Sequence, residues 1–167
     1  MRLAIISDTH LPRGTRALPE DCVARLRAAD LILHAGDFSE LSVLRALEAL
    51  GPPVVGVHGN VDRPEVVAAL PERRVVELPG AVRVGMVHDA GPARGRLERQ
   101  RAAFPGCAAV VFGHSHIPLH ETSADGAFQL FNPGSPTDRR RQPEHTMGEA
   151  TLDAAGRLTF AHVVVTR

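Results

Sequence analysis

Apolar residues in this chain come in short runs, and a narrow set of polar residues recurs directly after them. Arg2 to Ile6 reads as an apolar strand, followed by a polar loop from Ser7 to Arg16. From Leu18 through Ala28 the pattern is helical, with Pro19 suited to a first turn. Asp30 to His34 is strand-like again. Leucines at 41, 44, 47 and 50 form a helical stripe over Glu40 to Leu50, which Gly51-Pro52-Pro53 ends. Val54 to Val57 gives a third short strand. This βαβ alternation predicts a largely parallel inner sheet, with ligands gathered at the C-terminal ends of its strands.

The second half changes character. Arg74 to Leu78 and Val82 to Val87, separated by Pro79-Gly80, predict a hairpin. Arg94 to Phe104 reads as a polar helix and residues 108–112 as a strand. Further strands are expected at Pro118 to Glu121, Ala127 to Phe131, His145 to Leu152 and Leu158 to Val165, with turns at Asp125-Gly126 and Ala155-Gly156. There is no repeat or low-complexity tract, so residues 1–167 are expected to form one mixed α/β domain.

Composition narrows the functional classes. Basic and acidic residues cancel at 19 each, so no global field draws the chain to nucleic acid or membrane. Every basic residue is Arg; the absence of lysine excludes a Walker A lysine, a Schiff-base lysine and a Ser-Lys dyad. No apolar run approaches the roughly 20 residues that span a bilayer. Leu3 to Ile6 is too short for a signal-peptide core, and a cytoplasmic location is the expectation. Cys22 and Cys107 stand in no CxxC pattern and read as small buried thiols.

The chemistry lies in the residues directly after each apolar run. After strand 2–6 come Asp8-Thr9-His10, and after 31–33 come His34-Ala35-Gly36-Asp37. Residues 54–57 lead to His58-Gly59-Asn60-Val61-Asp62, Val84 to Val87 to His88-Asp89, and 108–112 to Gly113-His114-Ser115-His116. A lone Asp or His after a strand is ordinarily a turn or cap residue. Five such deliveries, expected at one edge of the sheet, point instead to metal. Nitrogen and oxygen donors without thiolate suit Mn, Fe, Zn or Ni. A carboxylate can bridge two cations ~3.5–4 Å apart. Two divalent cations, two aspartates and one hydroxide leave about +1, which favours a phosphate anion.

The ordered set "SDTH", "HAGDF", "HGNVD", "MVHD" and "GHSH" resembles the motifs of the calcineurin-like metallophosphoesterase superfamily. With "FNPGSPTDRRR" it is similar to the small YfcE-type prokaryotic phosphodiesterases. The resemblance implies an α/β fold of four layers, an α/β/β/α sandwich of two mixed sheets flanked by helices. It implies that Asp8, His10, Asp37 and His116 bind one divalent ion, and Asp37 (bridging), Asn60, His88 and His114 the other. Mn2+ is the favoured ion, with Ni2+, Fe2+ and Zn2+ as alternatives. The implied activity is that of a phosphodiesterase acting through a metal-bridging hydroxide, with Asp37, Asn60 and His88 as its catalytic residues.

The pattern departs from many relatives at Val61, where they carry a His credited with protonating the leaving group. A general acid commonly contributes ~10²–10⁴-fold, so alkyl monoesters are expected to be poor substrates and activated diesters better ones. Asp89-Ala90 replaces a frequent glycine after the fourth motif; Asp89 is open to orienting a histidine or to solvation in its loop. His34 and His58 are read as hydrogen-bonded structural histidines, with service as ligand support or substitute acid the alternative. Asp62 is expected to bind nearby backbone or a ligand. Arg13 and the run Arg139-Arg140-Arg141 are read as solvated, with phosphate contact the alternative. His120, His145 and His162 carry no functional weight, and Asn132 to Pro136 reads as a rigid turn walling the site.

A different class of function is a protein-interaction scaffold, as in the metallophosphoesterase-like subunit of the retromer coat. Such a scaffold, metal-binding but catalytically weak, predicts eroded ligands or weak metal binding, whereas every ligand position here holds a competent donor. Ser115 lacks the second glycine of a nucleophile elbow. With neutral charge and no Trp or Tyr, small phosphodiesters or nucleotides are expected rather than nucleic-acid polymers. A homo-oligomer is left open.

Overall fold

Strand β1 (Arg2–Ile6) is apolar on both faces, and that places it inside the molecule. In the computed structural model, which describes residues 1–166, Leu3 and Ile5 face one core while Ala4 and Ile6 face another. The same alternation splits β2 (Leu31–His34): Leu31 and Leu33 join the first core and Ile32 the second. Helix α1 (Glu20–Arg27) contributes Cys22 and Leu26 to the second core, and α2 (Leu41–Glu48) contributes Val43, Leu44 and Leu47. The apolar stripe read from the leucines is thus the buried face of α2. With β3 (Val54–Gly56), β1 and β2 pair in parallel in the order β1-β2-β3.

A further helix, α3 (Pro64–Ala69), packs Val66 into the same core and was not anticipated from the sequence. Pro64 at its first turn marks its start. Strands β4 (Arg73–Leu78) and β5 (Val82–Val87) form the expected antiparallel hairpin, joined by a tight turn in which Gly80 takes φ 73°. After α4 (Arg96–Ala103) come β6 (Ala109–Val111), β7 (Leu119–Thr122), β8 (Gln129–Asn132), β9 (His145–Leu152) and β10 (Leu158–Val165).

These strands build two five-stranded mixed sheets, ordered β10-β9-β1-β2-β3 and β4-β5-β6-β8-β7. The expectation of one largely parallel inner sheet is corrected: β1-β2-β3 and β5-β6-β8 are separate parallel cores, edged by antiparallel strands. Short strands buried on both faces look alike in sequence, so their division between sheets comes from long-range pairing. Between the sheets lies a core that includes Val84, Met86, Ala109, Val111, Phe131 and Phe160. Phe104 and Phe112 line a third core on the far face of the second sheet, with Leu97 of α4 packed against it. The layers run α1–α3, first sheet, second sheet, α4, the α/β/β/α sandwich. Each fully buried Leu, Ile or Phe in these cores contributes roughly 1.5–3 kcal/mol. Cys22 and Cys107 are buried free thiols, and burial pushes Cys22 up to about 12. Among the described residues no helix is long and apolar enough to cross a membrane.

Candidate metal centre

The five motif loops meet, but not at one sheet edge as expected. Three follow β1, β2 and β3 of the first sheet and two follow β5 and β6 of the second. Backbone hydrogen bonds join loops within each sheet: Asp8 N–H donates to the Gly36 carbonyl at 2.9 Å, and Gly113 N–H to the His88 carbonyl at 2.9 Å. Side chains cross between the sheets. His114 N–H donates to the Asp8 carboxylate at 3.0 Å, and His88 Nδ1–H donates to the Ala35 carbonyl at 2.7 Å.

Strain is concentrated here. Asp8 (φ 55°), His10 (47°), Asp37 (60°), His114 (68°) and His116 (60°) all adopt left-handed backbone. That conformation costs a non-glycine residue about 1–2 kcal/mol and gathers at functional sites. Glycine is forced beside them. A Cβ on Gly59 would overlap Asp37 Oδ1, one on Gly113 would overlap Ser7 Oγ, and one on Gly36 would lie 2.6 Å from His88 Nδ1.

Two groups of donor atoms result. In one, Asp8, His10 and His116 converge, with His10 Nε2 3.1 Å from His116 Nε2 and His116 Nε2 3.3 Å from Asp8 Oδ1. In the other, Asp8, Asp37 and His88 converge, with His88 Nε2 3.3 Å from Asp37 Oδ2. Asn60 Oδ1 stands 3.1 Å from His88 Nε2 and 2.9 Å from His114 Nδ1, so Asn60 and His114 border the second group at its exposed side. All seven residues singled out in the sequence are therefore brought together. Donors bound about 2.0–2.2 Å from one ion stand roughly 3 Å apart, the spacing seen here.

The donor chemistry fits a cation. His88 gives its Nδ1 proton to Ala35, which leaves Nε2 as the nitrogen facing the Asn60 and Asp37 oxygens: it donates to them while protonated and would offer its lone pair to a cation that displaces that proton. His116 gives its Nδ1 proton to the Asp138 carbonyl, so its Nε2 lone pair faces His10 and Asp8. Such carbonyl contacts fix which nitrogen a ligating histidine presents. Asp8 and Asp37 are 0% and 2% exposed, and among the described residues their only ion-pair partners are imidazoles. Burial raises Asp8 to about 7 despite the lowering effects of His88 and Ser7. Burial would also raise Asp37, but the hydrogen bond and charge of His88, with Val61 N–H, hold it below its ordinary value. Burial lowers His10, and lowers His116 to about 4. Burial opposes charge on His88 too, yet the Asp37 and Asp8 carboxylates outweigh it and raise its pKa.

The remaining candidates separate cleanly. His34 is fully buried, stacked on Phe38 at 3.5 Å; it accepts from Gly36 N–H and donates from Nε2 to Thr9 Oγ1. Burial lowers it to about 3, so it braces loops as a neutral ring. Asp62 accepts from the N–H groups of Ser39 (2.7 Å), Gly59 (2.7 Å) and Asp37 (3.2 Å), tying the β2 and β3 loops together. Asp89 accepts from Gly91 N–H at 2.7 Å, closing its own exposed loop. His58 borders a small hollow with Asn60, Glu72, His88 and Asp89. His162 donates to the Asn132 carbonyl, outside the donor groups.

Sequence reasoning missed the residues that hold the ligand loops. Asn132 Nδ2 donates to the Gly113 carbonyl at 2.8 Å, Ser135 Oγ to the Asp8 carbonyl at 2.8 Å, and Thr137 Oγ1 to the Thr9 carbonyl at 2.6 Å. The segment after β8 is thus a clamp on the first and fifth motifs as well as a wall. Its signal was a run of small polar residues, which reads equally well as an ordinary turn.

A family model for the calcineurin-like phosphoesterase superfamily domain matches residues 1–155, and the chain belongs to that superfamily. It is 37% identical over 139 residues to a "Probable metallophosphoesterase" of Methanothermobacter thermautotrophicus, covering 82% of this chain and 78% of that one. A Thermotoga maritima protein solved by solution NMR superimposes with TM-score 0.76 at 30% identity, over 98% of this chain and 99% of that one. The fold also matches wild-type Vps29 of Entamoeba histolytica complexed with zinc, at TM-score 0.75 and 20% identity, covering 98% and 99%.

Proposed function

We propose that this chain is a binuclear metal-dependent phosphodiesterase acting on small phosphodiesters or nucleotides. The observation that carries the reading is the position of the Asp37 carboxylate. It belongs to the second donor group with Asp8, the residue both groups share, and its Oδ2 lies 3.3 Å from His88 Nε2 yet only 3.7 Å from His10 Nε2 of the first group, so it can reach both. Asp8, His10, Asp37 and His116 would hold one divalent ion; Asp37, Asn60, His88 and His114 would hold the other. Two such ions, Mn2+ favoured over Ni2+, Fe2+ or Zn2+, would supply Lewis acidity and a nucleophile at neutral pH.

The chain's own contributions follow from placement. Asp37 couples the two halves, and its Oδ1 is fixed by Val61 N–H at 3.1 Å. His88, locked by Ala35, aims one nitrogen inward. Asn60 and His114 are exposed, so an incoming phosphoryl group meets that side first. Val61 offers no proton, which favours leaving groups that depart as stable anions. The alternative, a metal-binding but catalytically weak scaffold, stays compatible with the zinc-bound Vps29 neighbour, and hydrolysis rather than donor competence separates the two.

The test is hydrolysis of bis-p-nitrophenyl phosphate by metal-stripped protein, with Mn2+, Ni2+, Zn2+ or Mg2+ added back, beside Asp37→Ala. Restored activity that the variant lowers by about a hundredfold or more is expected, since loss of a bridging ligand disturbs both ions. No hydrolysis by protein that binds two equivalents of metal would sink the enzymatic reading.

A further inference from the structure

On the His10 side of the centre the surface folds into a cavity of about 390 Å3, lined among others by His10, Arg13, Ser39, Val61, Asp138 and Arg140. Two arginines line it, and neither guanidinium is held by an acid among the described residues. Arg16, Arg25, Arg45, Arg63 and Arg101 each pair with a carboxylate. Arg13 and Arg140 form no ion pair among the described residues. The acid in the cavity, Asp138, is engaged by Arg16 at 3.2 Å, so it does not cancel the two free guanidinium charges.

Arg140 is exposed and stands two residues after Asp138, whose carbonyl meets His116. Its backbone is left-handed (φ 49°), and its N–H donates to Asp138 Oδ1 at 3.4 Å. Asp138 in turn accepts, through its carbonyl, the Nδ1 proton of His116. Val61, 46% exposed, gives the same cavity an apolar wall.

We propose that this cavity binds a second phosphate of the substrate, so that preferred substrates are phosphoesters carrying a further phosphate group. The inference rests on the phosphodiesterase reading of the centre. Guanidinium groups present paired N–H donors that match phosphate oxygens, and an arginine without an acid partner gives up no ion pair to do so.

Calorimetric titration of the Mn2+-supplemented protein with thymidine 3′,5′-bisphosphate and with thymidine 5′-phosphate tests it without requiring turnover. The bisphosphate is expected to bind about tenfold more tightly, the value of one charge-assisted contact at a partly wet site. In Arg13→Ala/Arg140→Ala the ratio of the two affinities should fall to about one, and each single substitution should lower it. Arg13→Lys/Arg140→Lys should keep part of the preference, because charge survives without the paired geometry. Equal affinities in the wild type, a preference that persists in the double alanine variant, or no binding of the bisphosphate would overturn the inference. Bis-p-nitrophenyl phosphate hydrolysis on the same samples reads the other question. Hydrolysis without bisphosphate preference removes only the second-phosphate site; preference without hydrolysis removes only the enzymatic reading.

Discussion

In the proposed reading, the Val61 side chain limits the range of substrates while its backbone serves the candidate metal centre. Its N–H fixes Asp37 Oδ1 at 3.1 Å, and its side chain faces the arginine-lined cavity. The position therefore cannot be deleted, but its side chain can be exchanged. Val61→His is expected to raise turnover of an alkyl phosphomonoester such as glycerol phosphate by about 10–10²-fold. A well-placed general acid is worth ~10²–10⁴, and an imidazole introduced without tuned support recovers part of that. Bis-p-nitrophenyl phosphate, whose leaving group needs no proton, should respond much less. The idea fails if the wild type already cleaves both substrates at similar rates, or if the variant changes both equally.

At the scale of elements, the site is a set of strand-to-loop turns that give up backbone comfort to aim ligands. The donors were legible in the sequence because Asp, His and Asn recur at fixed places after apolar runs. The left-handed turns at Asp8, His10, Asp37, His114 and His116 were not, since none of these positions is glycine. Gly59 was legible as a turn residue but serves by proximity: Asp37 lies where its side chain would be. Gly59→Ala is thus expected to displace the Asp37 carboxylate and lower bound metal below the wild-type content, with helical and sheet content retained. Metal analysis beside circular dichroism reads both; full metal content would show that Asp37 is not held against that glycine. The clamp of Asn132, Ser135 and Thr137 escaped notice for a different reason. Its donors bind carbonyls more than a hundred positions away in two of the three cases, a relation no local pattern encodes. Helix α3 escaped because its 6 residues carry less than two turns of periodicity.

For the whole molecule, the division into two sheets is what makes the centre. Ligands from β1, β2 and β3 meet those from β5 and β6 only because the sheets stack through the Val84, Met86, Val111 and Phe131 core. The sequence pattern predicted the strands and the order of donors, while the motif resemblance predicted the stacking. Apolar alternation alone left the five loops on one sheet. Closing two buried carboxylates into that seam has a thermodynamic signature. Without metal, burial raises Asp8 to about 7, above its ordinary value of 3.8. Between those values the unfolded chain releases this proton while the folded chain keeps it. Stability from this group therefore falls as pH rises from about 4 to 7 and is constant above. His34 runs the other way: lowered to about 3 by burial, it costs stability as pH falls below its ordinary 6.5. Comparing metal-free wild type with Asp8→Asn cancels the His34 contribution. In urea unfolding, the variant should be more stable at pH 8 by about 2–4 kcal/mol, the gap shrinking toward pH 4. Added Mn2+ should raise the midpoint of the wild type more than that of Asp8→Asn, which keeps only the ligands proposed for the second ion, and so shrink or reverse the gap. A gap independent of pH would mean that Asp8 ionises in the folded, metal-free protein as readily as in water, and that the seam between the sheets is wetter than its packing implies.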